Sequence, residues 1–262
     1  MLRAHSFLWY YLWVAPNVLA VGLAFVLRRR KLHKQYPFFV AFIATAAVMQ
    51  LTLCVADIVP AVSGPTWWRI FWTDLIVQGI LKFALIGEIF SHVFREYTSV
   101  AKLSRLAIRG VGVTLILTAA FAAAYAPASS RFGMISGAHI LEQTIYLIET
   151  GLLAFIFLLS AYFRLTPARP VLGIALGLGV SACVHLGTWA LLANGGLAES
   201  GGLPESKKIL LDFLNMATYH VCVLIWFYYV LIPHKVVTKS AVPLPENNLA
   251  VWNRELERLL QQ

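Results

Sequence analysis

Long apolar segments alternate with short polar ones along the whole chain. Seven such segments cover residues 6–27, 37–59, 70–94, 107–126, 133–163, 171–193 and 209–232. A helix of about 20 apolar residues crosses the ~30 Å hydrocarbon core of a bilayer, and it satisfies its backbone N–H and C=O groups within one segment. The pattern predicts an all-α, polytopic membrane protein, in which residues 1–235 form a bundle of seven transmembrane helices.

The overall composition agrees with this prediction. Apolar residues make up 60% of the chain and charged residues only 13%, about half the charged fraction of a typical soluble domain. Too little polar surface is available for a soluble or a disordered chain. The three cysteines, Cys54, Cys183 and Cys222, all fall in apolar segments, which excludes a framework of disulfides between loops.

Basic residues are distributed unequally between the two sides of the predicted bundle. Fifteen of the 21 lie on one side, beginning with the run at residues 28–31 directly after the first segment. Positive loops stay in the cytoplasm, so the sequence predicts an N-out/C-in protein of the bacterial cytoplasmic (inner) membrane. The net charge of +9 then reflects topology and attraction to anionic lipid headgroups. It does not indicate a nucleic-acid partner.

Aromatic and small residues predict two packing features. Aromatic clusters at residues 9–13, 67–72 and 226–229 lie near predicted helix ends, where amphipathic rings prefer the headgroup level. Trp226 is thus predicted to be an interfacial anchor. In the sixth predicted span, Gly173, Gly177 and Gly179 indicate close helix packing.

Ionisable residues inside a membrane are costly and usually functional. Steps of 100° per residue place Asp74, Gln78, Glu88 and His92 on one line of the third predicted span. Asp74 is shallow, whereas Lys82 in the same span shares a depth of about 8–18 Å from the outer surface with polar residues of other spans. These are Gln50, His139, Glu142, His185 and His220. Polar stripes at one depth predict a shared cavity in the outer half of the bundle. The residues predicted to line it are Asp74, Gln78, Lys82, Glu142, His185, Tyr219 and His220.

Two pairings follow from these positions. A lone ammonium at mid-depth needs a carboxylate, and Lys82 has two candidate partners, Glu142 and Glu149. Glu88 and His92 are four residues apart on one helix face. They are predicted to form an inner latch, meaning a side-chain pair near the basic surface.

The tail at residues 236–262 contains a second predicted element. Apolar residues follow helical spacing over residues 246–262, with charged residues on the other face. This amphipathic helix is expected to lie on the inner leaflet. The alternative is a docking helix for a cytoplasmic signalling partner or a second copy. The apolar positions are Leu249, Trp252, Leu256, Leu259 and Leu260.

A cavity open to the outside and a basic inner surface favour a sensory or signalling module. Such a module binds a small ligand without intrinsic catalysis and without a cofactor. Alternatives are a small-solute transporter, a hydrogen-bond network that only holds the helices together, and a haem site. An intramembrane zinc-dependent hydrolase is a further alternative, with His139, His185 and His220 as metal ligands.

Three segments carry a resemblance to known proteins. They are Tyr-Leu-Trp-Val-Ala-Pro-Asn at 11–17, Arg-Arg-Arg-Lys-Leu-His-Lys-Gln-Tyr-Pro-Phe-Phe at 28–39 and Gly-Glu-Ile-Phe-Ser-His-Val-Phe-Arg at 87–95. With these segments the chain resembles a group of uncharacterised bacterial seven-helix membrane proteins, and also the seven-helix N-terminal sensor region of some histidine kinases. The resemblance covers about residues 5–235 and implies a sensory membrane module. Because the sequence ends about 30 residues after the last span, a separate partner is expected to carry the output.

Overall fold

The computed structural model describes residues 3–94, 131–162, 167–197 and 204–232, together with the isolated positions 110, 113, 165 and 258. This part of the chain is helical, and a short 3₁₀ helix, Leu32–Lys34, joins its first two long helices. The predicted span at 107–126 and the predicted tail helix at 246–262 lie outside the described residues, apart from three isolated positions. The long helices are α1 (Phe7–Arg29), α2 (Pro37–Ile58), α3 (Gly64–Val93), α4 (Arg131–Tyr162), α5 (Arg169–Leu197) and α6 (Glu205–Leu231).

All six helices are long and apolar enough to cross a membrane. The shortest has 22 residues, which at about 1.5 Å per residue gives roughly 33 Å. Their outward surfaces expose large apolar side chains, including Leu158, Ile80 and Phe25, each more than 60% exposed. Such surfaces suit lipid and not water. The predicted all-helical, multi-pass membrane architecture is therefore confirmed for the described residues.

The six helices form a closed ring. Each packs against the next in chain order, and α6 packs against α1. Most neighbours are antiparallel. For example, Thr188 of α5 meets Asn215 near the start of α6, whereas Gly177, earlier in α5, meets Trp226 near the end of α6. The end of the bundle at which α1 begins is called the first end here, and the opposite one the second end.

Two neighbouring pairs of helices run parallel. Between α3 and α4, Gly79 lies against Ile145 and Lys82 contacts Glu149, so both chains advance in the same direction. Helices α1 and α6 are also parallel, because the start of α1 packs on the start of α6. At the second end, Arg30 Nη1 donates to the carbonyl oxygen of Val230 at 2.7 Å. Both α3 and α4 therefore begin at the first end.

The half of the bundle toward the second end is filled with apolar side chains. Trp226 of α6 lies in this core at 2% exposure. Its indole packs edge-on against Phe39 and Phe42 of α2, and its Nε1 donates to the carbonyl oxygen of Ile174 at 3.4 Å. The prediction of an interfacial anchor is thus wrong for Trp226. Tyr228, two positions later, is 62% exposed on the outer surface.

Glycines of α5 leave room for large aromatic side chains of α6. A Cβ atom at Gly177 would overlap the indole of Trp226, and one at Gly173 would overlap the ring of Tyr229. These positions are close-packing sites, as the sequence predicts. The groups they accommodate are aromatic side chains of α6.

We expect Gly177→Ala to lower the free energy of unfolding by about 1–3 kcal/mol, because the added methyl forces the indole or the helix to shift. The matched control is Gly187→Ala on the same helix, where a Cβ meets nothing within 4 Å. Thermal unfolding of both purified variants measures the difference. Equal melting temperatures would contradict the close packing of Trp226 on α5.

Candidate ligand-binding cavity

A cavity of about 480 Å³ lies inside the ring, and all six described helices contribute to its wall. It extends from Trp67 and the exposed Asp212, near the first end, down to Trp226. The volume falls in the range of pockets that take small molecules. Trp226 and the apolar core behind it separate the cavity from the second end.

Six of the seven residues predicted to line a cavity lie in its wall. The exception is His220, whose ring stacks on Tyr11 of α1 at 6.1 Å between ring centroids. Consecutive helix positions differ by about 100°, so Tyr219 and His220 face different neighbours. The six lining residues are Asp74, Gln78, Lys82, Glu142, His185 and Tyr219.

Asp74 of α3 is held by a chain of hydrogen bonds from two other helices. Trp13 Nε1 donates to Gln50 Oε1 at 3.1 Å, and Gln50 Nε2 donates to Asp74 Oδ2 at 2.8 Å. An indole N–H can only donate, so it fixes the amide with its NH₂ group toward Asp74. The carboxylate is therefore positioned in advance by α1 and α2.

Lys82 lies deeper in the wall and is ion-paired. Its Nζ donates to Glu149 Oε2 at 2.9 Å, and Glu149 is completely buried. The same ammonium lies 4.0 Å from the ring centroid of Tyr146, a distance typical of a cation–π contact. Of the two candidate partners, the hydrogen-bonded one is Glu149. Glu142 lies one helical turn before Tyr146 and lines the cavity itself.

Tyr146 also connects the lysine with His185 of α5. The two rings stack with centroids 4.3 Å apart and an interplanar angle of 20°. His185 Nδ1 donates to the carbonyl oxygen of Ser181 at 2.8 Å, because a carbonyl can only accept. The neutral ring therefore carries its proton on Nδ1 and has an acceptor at Nε2. Lys82, Tyr146 and His185 thus form a layered contact across α3, α4 and α5.

Several polar atoms of the wall meet no hydrogen-bond partner of good geometry within the described part of the chain. They include the hydroxyl of Tyr219, both polar atoms of the Gln78 amide and Oδ1 of Asp74. Buried polar groups are nearly always hydrogen-bonded to protein, water or ligand. These atoms therefore give the cavity unused hydrogen-bonding capacity.

The residues predicted to line the cavity include none from α1. Trp9, Trp13 and Asn17 all line the cavity, and they are spaced four residues apart on one helix face. That spacing was visible in the sequence. Aromatic residues near a helix end also fit the headgroup level, so the sequence favours an interfacial position for them.

Glu88 and His92, the predicted inner latch, lie near the second end. The Glu88 carboxylate accepts hydrogen bonds from the backbone N–H groups of Phe38 at 3.3 Å and Phe39 at 3.1 Å. It thereby caps the start of α2, where the helix dipole favours negative charge. His92 Nδ1 donates to the backbone carbonyl oxygen of Glu88, and its ring packs on Tyr36. The carboxylate thus joins α3 to α2 without binding the imidazole.

The three histidines of the hydrolase interpretation are not seen together. His185 lines the cavity, His220 stacks on Tyr11 outside its lining, and the side chain of His139 lies outside the described residues. Among the residues that the structure describes, no group of three His, Cys, Asp or Glu side chains converges as a metal site.

Comparisons with protein-family models, with curated proteins and with solved structures found no match. No relative therefore supplies a substrate or a partner for the cavity.

Proposed function

We propose that this protein is a seven-helix sensory module of the bacterial inner membrane that binds a small ligand in the cavity. The observation that carries the proposal is a pocket inside the helix ring whose wall keeps polar atoms without hydrogen-bond partners among the described residues, one of them the hydroxyl of Tyr219. A network that only held the helices together would satisfy such atoms internally. Here they remain available to a bound solute.

The helix directions support the seven-span, N-out/C-in topology. Because α3 and α4 are parallel and both begin at the first end, a proposed span at 107–126 between them gives each described helix its observed direction. The exposed basic residues 28–31 lie at the second end, which suits the cytoplasmic side. The cavity then opens toward the outside.

Sensing accounts for the geometry better than transport does. The cavity approaches the first end, while Trp226 and buried residues such as Phe39, Ile43 and Ile86 fill the bundle beyond it. A transport path would need polar or mobile packing there. A ligand resting above Trp226 instead shifts the packing of α6 against α2 and α5. The C-terminal tail after α6 is the proposed route to a cytoplasmic signalling partner.

Thermal unfolding of the full chain against a library of small solutes tests ligand binding. A ligand present at about 100 times its Kd stabilises by about 2.7 kcal/mol, which raises the melting temperature by roughly 5–10 °C. We expect Tyr219→Phe to weaken that shift. Because the Tyr219 hydroxyl has no partner in the described structure, the unliganded variant should melt within about 2 °C of wild type. A library that stabilises neither protein would contradict the proposal.

Labelling with a membrane-impermeant maleimide tests the orientation. We expect Ser63→Cys, exposed between α2 and α3 at the first end, to react in intact cells. Lys34→Cys, exposed at the second end, should react only after permeabilisation. Wild type is the control, since Cys54 and Cys222 are buried and Cys183 lies within the membrane-spanning part of α5. The reverse pattern would place the N-terminus inside.

A further inference from the structure

The described cavity wall contains more acidic than basic side chains, and its basic side chain is already paired. Among the lining residues that the structure describes, three carry carboxylates, namely Asp74, Glu142 and Asp212, and one carries an amine, Lys82. That amine is held by a fourth carboxylate, Glu149, at 2.9 Å. The described wall therefore has more carboxylates than cations, because its one ammonium lies near Asp74 and Glu142 but is hydrogen-bonded to Glu149.

Asp74 is the best placed of these acids. It is 5% exposed, lines the cavity and receives one hydrogen bond, from Gln50 to Oδ2. Its Oδ1 makes no hydrogen bond of good geometry in the described part of the chain, although the side chain of Gln78 lies close to the carboxylate. A buried carboxylate with one unpaired oxygen is stabilised by a cation that enters the pocket.

The rest of the wall suits the apolar part of such a cation. Trp9, Trp13, Trp67 and Phe71 line the cavity toward the first end, and aromatic faces attract ammonium groups. The protein already uses this contact, because the Lys82 ammonium lies over Tyr146. A cavity of about 480 Å³ has room for an ammonium that carries an apolar group.

We infer that the ligand class of this cavity is a small organic cation, whose ammonium pairs with Asp74 and whose apolar body packs on the aromatic wall. The inference rests on the proposed function, since it names the ligand of the same site. Asp212, exposed near the first end, and Glu142, on the wall, attract the cation toward Asp74.

Isothermal titration with the full chain in lipid nanodiscs tests the inference. The probe is benzyltrimethylammonium. Benzyl dimethyl carbinol is its neutral near-isostere, and phenylacetate is an anion of similar size. We expect the cation to bind and the other two to bind much more weakly. Asp74→Asn should lower the affinity for the cation about tenfold or more, while it keeps an oxygen that accepts from Gln50.

The matched control is Asp57→Asn. Asp57 lies at the same end of the bundle, pairs with His5 and does not belong to the cavity lining, so we expect unchanged affinity. If Asp74→Asn does not fold, Glu142→Gln provides the second test, with an expected loss in the same direction.

Equal binding of the carbinol or the anion, or full affinity in Asp74→Asn, would overturn the cation inference and leave the proposed ligand cavity intact. If none of the three probes binds, the inference is overturned as well. The proposed function then fails only if the library of small solutes also leaves the melting temperature unchanged.

Discussion

Replacing Lys82 by methionine is expected to lower the free energy of unfolding by about 3–5 kcal/mol, because it leaves the Glu149 carboxylate buried without its partner. Glu149 is 0% exposed, so no solvent can compensate. The same change removes the ammonium that lies over Tyr146. Unfolding in mixed micelles with increasing SDS measures the loss.

The reciprocal change is expected to cost less. In Glu149→Gln, Lys82 still shares the cavity wall with two carboxylates, Asp74 and Glu142. The new glutamine also presents an oxygen that accepts a hydrogen bond from Lys82 Nζ. The double variant Lys82→Met/Glu149→Leu should recover most of the stability, as observed when buried ion pairs are replaced by apolar residues. A single Lys82→Met variant as stable as wild type would show that the pair contributes little.

Trp226→Ala is expected to cost about 3–5 kcal/mol, because it empties the space between α2, α5 and α6 that the indole fills. It should also open the lower boundary of the cavity, so any ligand found by the solute screen should bind with altered affinity. The control is Tyr228→Ala, two positions later on the same helix, where the ring is 62% exposed. We expect the control to change stability by less than about 1 kcal/mol. Thermal unfolding that ranks the two variants equally would contradict the core position of Trp226.

The sequence was sufficient to predict where the described helices lie. Apolar length alone located all six, but two helices begin four or more residues earlier than predicted. Helix α3 begins at Gly64 instead of residue 70, and α6 at Glu205 instead of residue 209. Both extensions contain interfacial or charged residues that an apolar window rejects, although a preceding or early proline allows the helix to begin there.

The membership of the cavity wall was predictable in part. Helical periodicity places Asp74, Gln78 and Lys82 on neighbouring lines of α3, and a shared depth indicates a common interior. Periodicity cannot fix how far each helix is rotated about its own axis. That rotation is set by packing, such as the indole of Trp226 against Gly177. It directs Tyr219 inward and His220 toward Tyr11.

The identity of ion partners was the least predictable feature. Glu142 and Glu149 lie two turns apart on α4, and the sequence offers both as partners of Lys82. The structure pairs Lys82 with Glu149 because α3 and α4 run parallel with Gly79 against Ile145. A single sequence contains no information about that relative shift of two helices.

The contact between the first and last described helices has a consequence for biosynthesis. Arg30 bonds to the carbonyl of Val230, 200 residues later in the chain, so the ribosome has to translate all six described helices before the ring can close. Until α6 packs between α5 and α1, the ring stays open and the cavity that holds Asp74 and Glu142 lacks one side of its wall. A nascent chain that stops before α6 is therefore expected to leave the cavity open on one side.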